Sequence, residues 1–231
     1  MSRRANEIVK NDKLGKTLDF FNEGLRRVFL ECHRILKEDG LLVFTFHHNK
    51  VWAWEGIARL LLEAGFYVSA TPIVRSEGKS GFHSSEGNIR YDCVLVCRKR
   101  PSVSGGRSWS SLKNAILKDA VLWTQRTLES GMLINEVDVF TIVMGKTMEH
   151  YSKALANGKF DNETVTLAEA LSEMAGIATQ VGAAANAERL ELPKAHAHKV
   201  EQLRLFVVES RARYEGKAPK RGGAARRERE P

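Results

Sequence analysis

Three short runs rich in β-forming residues constrain this chain more than any other feature. They are LLVFTF (41–46), FYVSATPIV (66–74) and YDCVLVCRK (91–99), all within the first hundred residues. Helical periodicity fills the gaps between them. Leu18, Phe21, Leu25, Val28, Phe29, Cys32, Ile35 and Leu36 recur at intervals of three and four, which predicts an amphipathic helix over 18–37. Glu38-Asp39-Gly40 ends it, with Gly40 suited to the left-handed position that closes a helix. The continuous apolar character of LLVFTF suits a strand buried on both faces. A second helix over 51–64 carries Trp52, Trp54, Ile57, Ala58, Leu61 and Leu62 and closes at Gly65. Trp52 and Trp54 lie two apart and point to different sides of that helix, so one of them is expected to be exposed. Pro72 marks the end of the second run or a place at a sheet edge.

Beyond the polar stretch 75–90 and the PSVSGG segment the pattern becomes helical throughout, over about 110–129, 136–156, 166–184 and 196–213. Thr166 and Glu169 have the spacing of a capping box, in which hydroxyl and carboxylate each satisfy the other's free amide. The expected fold is α/β: a partial sheet domain over 1–100, a linker at 101–107, an all-α module over 108–210 and a tail over 211–231. Buried parallel strands need helices on both faces and neighbours on both sides. A helix precedes the first strand here, as though a doubly wound fold had been entered midway, and truncation is therefore expected.

Charge separates the tail from the rest. The chain has a net charge of +8, and residues 211–231 hold eight Lys/Arg against three Glu. More than half of the excess thus sits in a stretch with almost nothing apolar to bury. That stretch is expected to be disordered, and either a solubilising end or a non-specific partner for nucleic-acid phosphates. Hydrophobic residues at 43% and charged residues at 28% suit a globular protein. No apolar run approaches the ~20 residues a membrane-spanning helix requires. Cys32, Cys93 and Cys97 form no CxxC pair, and read as reduced, buried residues of a cytoplasmic protein.

The segment RVFLECHRILKEDGLLVFTFHHNKVWAWEGIARLLLEAGFYVSATPIV (27–74), together with NIRYDCVLVCRK (88–99), resembles the end of a class I, S-adenosylmethionine-dependent methyltransferase. FTFHH, the Trp-bearing VWAWEGIARLL, PIVRSEGKS and NIRYDCVLVCRK narrow the likeness to adenine-specific DNA methylases that carry a zinc ribbon. NEVDVFTIVMGKTMEHYSKA (135–154) and VTLAEALSEM (165–174) are similar to the helical region of that family. The resemblance implies a C-terminal half of a Rossmann-like methyltransferase sheet followed by helices. It implies transfer of a methyl group to the N6 amine of adenine in DNA, with S-adenosylmethionine as cofactor.

The chain departs from that family in three respects. No Gly-rich turn follows an apolar strand. None of the five prolines is adjacent to another, so the Asn/Asp/Ser-Pro-Pro-aromatic motif that grips an extruded base is absent. There is no CxxC and hence no zinc ribbon. The expectation is a fragment or separately encoded subunit, inactive alone, whose N-terminal half would supply the cofactor turn. A non-catalytic DNA-binding or assembly protein derived from such an enzyme remains the alternative.

Phe46, His47 and His48 stand at the end of the first run, where open α/β sheets bind ligands. The resemblance makes them the rim of a base or cofactor pocket. The plainer reading is a core phenylalanine followed by capping or solvated histidines. The 75–90 loop, with Arg75, Lys79, His83 and Arg90, could touch DNA flanking the target base, or could simply be a mobile surface loop. Arg221, Arg226 and Arg227 are the tail's candidate phosphate contacts. His196 and His198 diverge on a helix, so no metal site is expected. Lys146 and His150, with Glu149 nearby, read as one solvated helix face.

Overall fold

The computed structural model describes residues 7–76, 89–100, 108–156 and 165–191. These form a mixed α/β unit. Its order is α1 (Leu18–Ile35), β1 (Leu42–Phe46), α2 (Val51–Glu63), β2 (Phe66–Ala70), β3 (Ile73–Arg75), β4 (Tyr91–Lys99), α3 (Trp109–Glu129), α4 (Glu136–Ala156), α5 (Leu167–Gly176) and α6 (Ala178–Glu191).

Strand β4 is the centre of the sheet. It pairs antiparallel with β1 along one side, Leu42 opposite Cys97 and Phe46 opposite Cys93. Along its other side it pairs with β2 and then β3. These two are the single 66–74 run of the sequence, broken at Thr71-Pro72. Proline has no amide to give a ladder, but its carbonyl still accepts from Val94 N at 2.8 Å, so the bent strand stays attached. Since β1 and β2 each run opposite to β4, they are parallel to one another, with α2 as the connection between them.

Alternation along the strands decides which face is covered. Leu42, Phe44 and Phe46 of β1 lie beside Cys97, Leu95 and Cys93 of β4 and point to the helices. Phe44 meets Phe29 of α1 with ring centroids 5.5 Å apart, and Phe46 meets Trp54 of α2 edge-on at 4.9 Å. Helix α4 reaches the same face at Gly145, where an added Cβ would stand 2.8 Å from Cys93 Sγ and 3.3 Å from Thr71 Cβ. Only a residue without a side chain allows this approach.

The other face carries Val43, Thr45, Val74, Val94, Val96 and Arg98, none of them buried, and among the described residues no helix packs on it. LLVFTF is therefore not a strand buried on both faces. Among the described residues it is an edge strand partly buried on one face, with Val43 on the other half-exposed at 52%. Central β4 shows the same rule, burying Tyr91, Cys93, Leu95 and Cys97 and leaving the residues between them less covered.

Three further expectations change. Helix α1 stops at Ile35, and Gly40 does not adopt a positive φ. It closes instead on Leu36, whose Cγ would lie 2.6 Å from an added Cβ. The 166–184 helix is two helices, α5 and α6, separated at Ile177. The sheet and the helical segment share one hydrophobic core, in which Trp54, Phe66 and Leu95 belong to the same cluster as Leu112, Met144 and Leu171. The Thr166–Glu169 capping box is present as expected, and Trp54 is fully buried while Trp52 is 52% exposed. Cys93 and Cys97 are buried free thiols, and Cys32 is half-buried. The expected 196–213 helix and the 211–231 tail lie outside the described residues.

Candidate functional site

The pairing of β1 with β4 brings the C-terminal end of β1, the N-terminal end of β4 and the C-terminal end of β3 to one end of the sheet. His47 follows β1 and Asp92 stands near the start of β4, one register step beyond the Phe46–Cys93 pair. The two side chains meet, His47 Nδ1 against Asp92 Oδ1. A carboxylate on Nδ1 fixes the ring orientation and leaves Nε2 facing outward. His47 is exposed, so this is an oriented surface imidazole.

His48 is held differently. Its Nδ1 accepts from Lys50 N at 3.0 Å, and its carbonyl accepts the indole N–H of buried Trp54 at 2.8 Å. Burial, joined by the charges of His47 and Lys50, holds its pKa below the ordinary value. A neutral ring that accepts at Nδ1 carries its proton on Nε2. Trp52, in the first turn of α2, stands edge-on to this ring with centroids 5.0 Å apart. The turn 47–50 is thus tied to the core through Trp54 while it presents two aromatic rings to the outside.

Arg75 and Arg90 are exposed at the same end of the sheet. Arg75 ends β3 opposite Tyr91, and the Arg90 amide donates to Asp138 Oδ1 at 2.8 Å. The same aspartate takes the Asn135 amide at 2.9 Å, so the entry to β4 is anchored to the start of α4. Phe46 lies apart from this surface, since its ring packs on Trp54. Lys79, His83, Arg221, Arg226 and Arg227 lie outside the described residues.

A second polar assembly lies between α3, α4 and the sheet, and it corrects the expected solvated face. Lys146 and Glu149 are only 3% and 7% exposed. Lys146 Nζ reaches Glu149 at 3.0 Å and Asp119 at 3.4 Å, and lies 4.5 Å from the centre of the Trp123 ring. Glu149 also receives Lys153 at 2.6 Å and the Thr71 hydroxyl at 2.8 Å, while His150 meets Asp119 at 3.0 Å. Burial pushes the Glu149 carboxyl up, but Lys146 and Lys153 together outweigh it and hold the carboxyl below its ordinary range. Asp119 shows the same balance, with burial raising it and His150 and Lys146 lowering it further. Every partner in this assembly is another side chain of the protein, which fits an internal strut between helix and sheet.

Sequence reading missed Asp92 and Trp52 as parts of the strand-end site. Asp92 could have been found only by placing β4 beside β1, since 45 residues separate it from His47. Among the described residues no group of three or more His, Cys, Asp or Glu is arranged to hold a metal ion. The apolar cavity lined by Leu61, Phe66, Val68, Met148 and Tyr151 has a volume of about 10 Å³, room for at most one water. Phe46, partly buried, packs its ring on Trp54. Among the described residues, no helix is long and apolar enough to cross a membrane. No family model matches the chain, and neither a curated protein nor a solved structure matches it.

Proposed function

We propose that this chain is the C-terminal part of an S-adenosylmethionine-dependent DNA adenine-N6 methyltransferase, completed by a separate N-terminal half and inactive without it. The observation that carries the reading is the one-sided sheet. β1 and β2 run parallel with α2 connecting them, the unit from which doubly wound sheets are built. Beyond β1 no strand follows among the described residues, and none of their helices packs on the opposite, only partly covered face. Both are places where a larger α/β sheet would continue, and a Rossmann-like methyltransferase half-sheet would have this form. The strand-end surface adds support, since ligands of open α/β sheets bind at the C-terminal ends of parallel strands.

In this reading the chain supplies positioning and not an acid or base. Direct transfer from a sulfonium to an amine depends on alignment and polarisation. The cofactor would supply the methyl group and would be held by the N-terminal half. His47, Arg75 and Arg90 face outward, where they would meet DNA around the target adenine. The test is labelled methyl transfer to duplex DNA. The chain alone should transfer nothing above background. Addition of a separately expressed half bearing a Gly-rich turn and a Pro-Pro-aromatic motif, taken from the reading frame beside its own, should restore transfer to adenine N6. Transfer by the chain alone, or none with that half, would refute the proposal.

A further inference from the structure

We infer that Trp52 and His48 form a stacking platform for an unpaired nucleobase of a single DNA strand. The inference rests on reading the strand-end surface as a nucleic-acid face and names the ligand class that this face takes. An indole is the largest apolar side chain a protein can bury, and the chain buries the one two residues away completely. Trp52 is held outside on a regular helix, 52% exposed, against a ring that cannot move freely. His48 is pinned by Lys50 N at one atom and by the buried Trp54 indole at another. Such a pair is pre-ordered, so a planar ligand would not have to immobilise it.

The surroundings favour a base over an apolar peptide. Lys50 beside the platform and His47, Arg75 and Arg90 at the same sheet end are all exposed and basic or protonatable. Asp92 is engaged by His47. Glu55, one turn along α2, is the acidic group nearest to Trp52 in sequence, and it is half-buried. Aromatic rings interleaved with cations are the pattern by which proteins hold single strands, with each ring stacking one base and the cations following the backbone. His48, neutral and with Nε2–H as donor, can add one hydrogen bond to a carbonyl or ring nitrogen at the base edge. Nothing in this arrangement distinguishes one base from another.

Titration of the full chain with a short oligothymidylate, read by tryptophan fluorescence, tests the inference. Trp54 and Trp109 are buried and Trp123 is half-buried beside Lys146 and Arg126, so Trp52 is the most exposed indole, and the Trp52→Ala variant assigns the signal to it. Oligonucleotide should quench the emission. Trp52→Ala should abolish that quenching and weaken binding about tenfold, the loss of one stacked base. Trp52→Phe should keep most of the affinity, and a duplex of the same length should bind both forms alike. An unchanged affinity of Trp52→Ala for the single strand overturns the platform, as does a lack of any oligonucleotide binding, which would leave the surface to a protein partner. Thermal melts of the variants control for folding. The two readings fail separately: quenching without reconstituted methyl transfer sinks the enzyme, while methyl transfer with an insensitive Trp52→Ala sinks the platform.

Discussion

The two faces of the sheet use similar residues to different ends. On the helix side Phe44, Leu95, Cys93 and Cys97 pack into a core where Leu95 and both thiols are wholly buried. On the opposite side Val43, Thr45, Val74, Val94 and Val96 form a β-branched surface that is only partly covered. Valine and threonine favour pleated backbone whether or not they are buried, so strand propensity is met on both faces while core packing is met on one. The comparison teaches that hydrophobicity on a strand marks where a neighbour is wanted, and that only one of the two neighbours is present among the described residues.

The largest expected contrast comes from truncating adjacent residues of β4. Leu95→Ala should cost about 3–4 kcal/mol, the range for deleting a fully packed leucine side chain. Val96→Ala, on the other face, should cost no more than about 1 kcal/mol. Denaturant unfolding of the full chain measures both. Equal costs would mean that the open face is covered in solution.

A smaller effect is expected from acid, and it reports on the strut between α4 and the covered face. Glu149 is held below its ordinary value of 4.5 by Lys146 and Lys153 against the opposing effect of burial. A carboxylate depressed in the folded state contributes stability that is fully present above its unfolded pKa. That contribution is lost as pH falls below 4.5 through the folded value. Stability should therefore fall as the pH drops through that window, and Glu149→Gln should flatten the fall. Thermal melts across that range decide it, and an unchanged slope in the variant would assign the acid sensitivity elsewhere.

The smallest effect on the isolated chain is expected at the sheet edge. Val43→Lys places a charge on the open face of β1 and should change stability by less than about 0.5 kcal/mol. If a partner strand adds to β1, the same variant should abolish the association, because charge on an edge strand discourages pairing. Analytical ultracentrifugation with and without the proposed N-terminal half reads this directly. A large loss of stability in the chain alone would show that the face is already packed.

Much of this architecture was legible in the sequence, for identifiable reasons. The strands and helices follow from periodicity, the start of α5 from the Thr166–Glu169 pair, and the opposed fates of Trp52 and Trp54 from helical geometry. Strand order was not legible, because apolar runs carry no record of direction, and β4 enters antiparallel between two strands that precede it. The burial of Lys146 and Glu149 was hidden for a related reason. Charged residues read as solvated until their partners are known, and Asp119 and Thr71 come from α3 and from the turn between β2 and β3. The His47–Asp92 contact was invisible until the register of β1 and β4 was in hand.

The central position of β4 also governs when the sheet can exist during synthesis. Leu42 waits for Cys97 and Phe66 for Lys99, so neither earlier strand has a partner until β4 has been made. At about 5–20 residues per second, β1 spends several seconds as a nascent apolar segment with only α1 and α2 to shelter it. Its LVFTF stretch carries no charge to deter contacts with other chains during that interval. The arrival of β4 closes the sheet from the middle outward, and α4 can dock Gly145 onto Cys93 only afterwards. Assembly of this molecule is in that sense a late, centre-first event, and the interval before it is when binding by a chaperone would matter most.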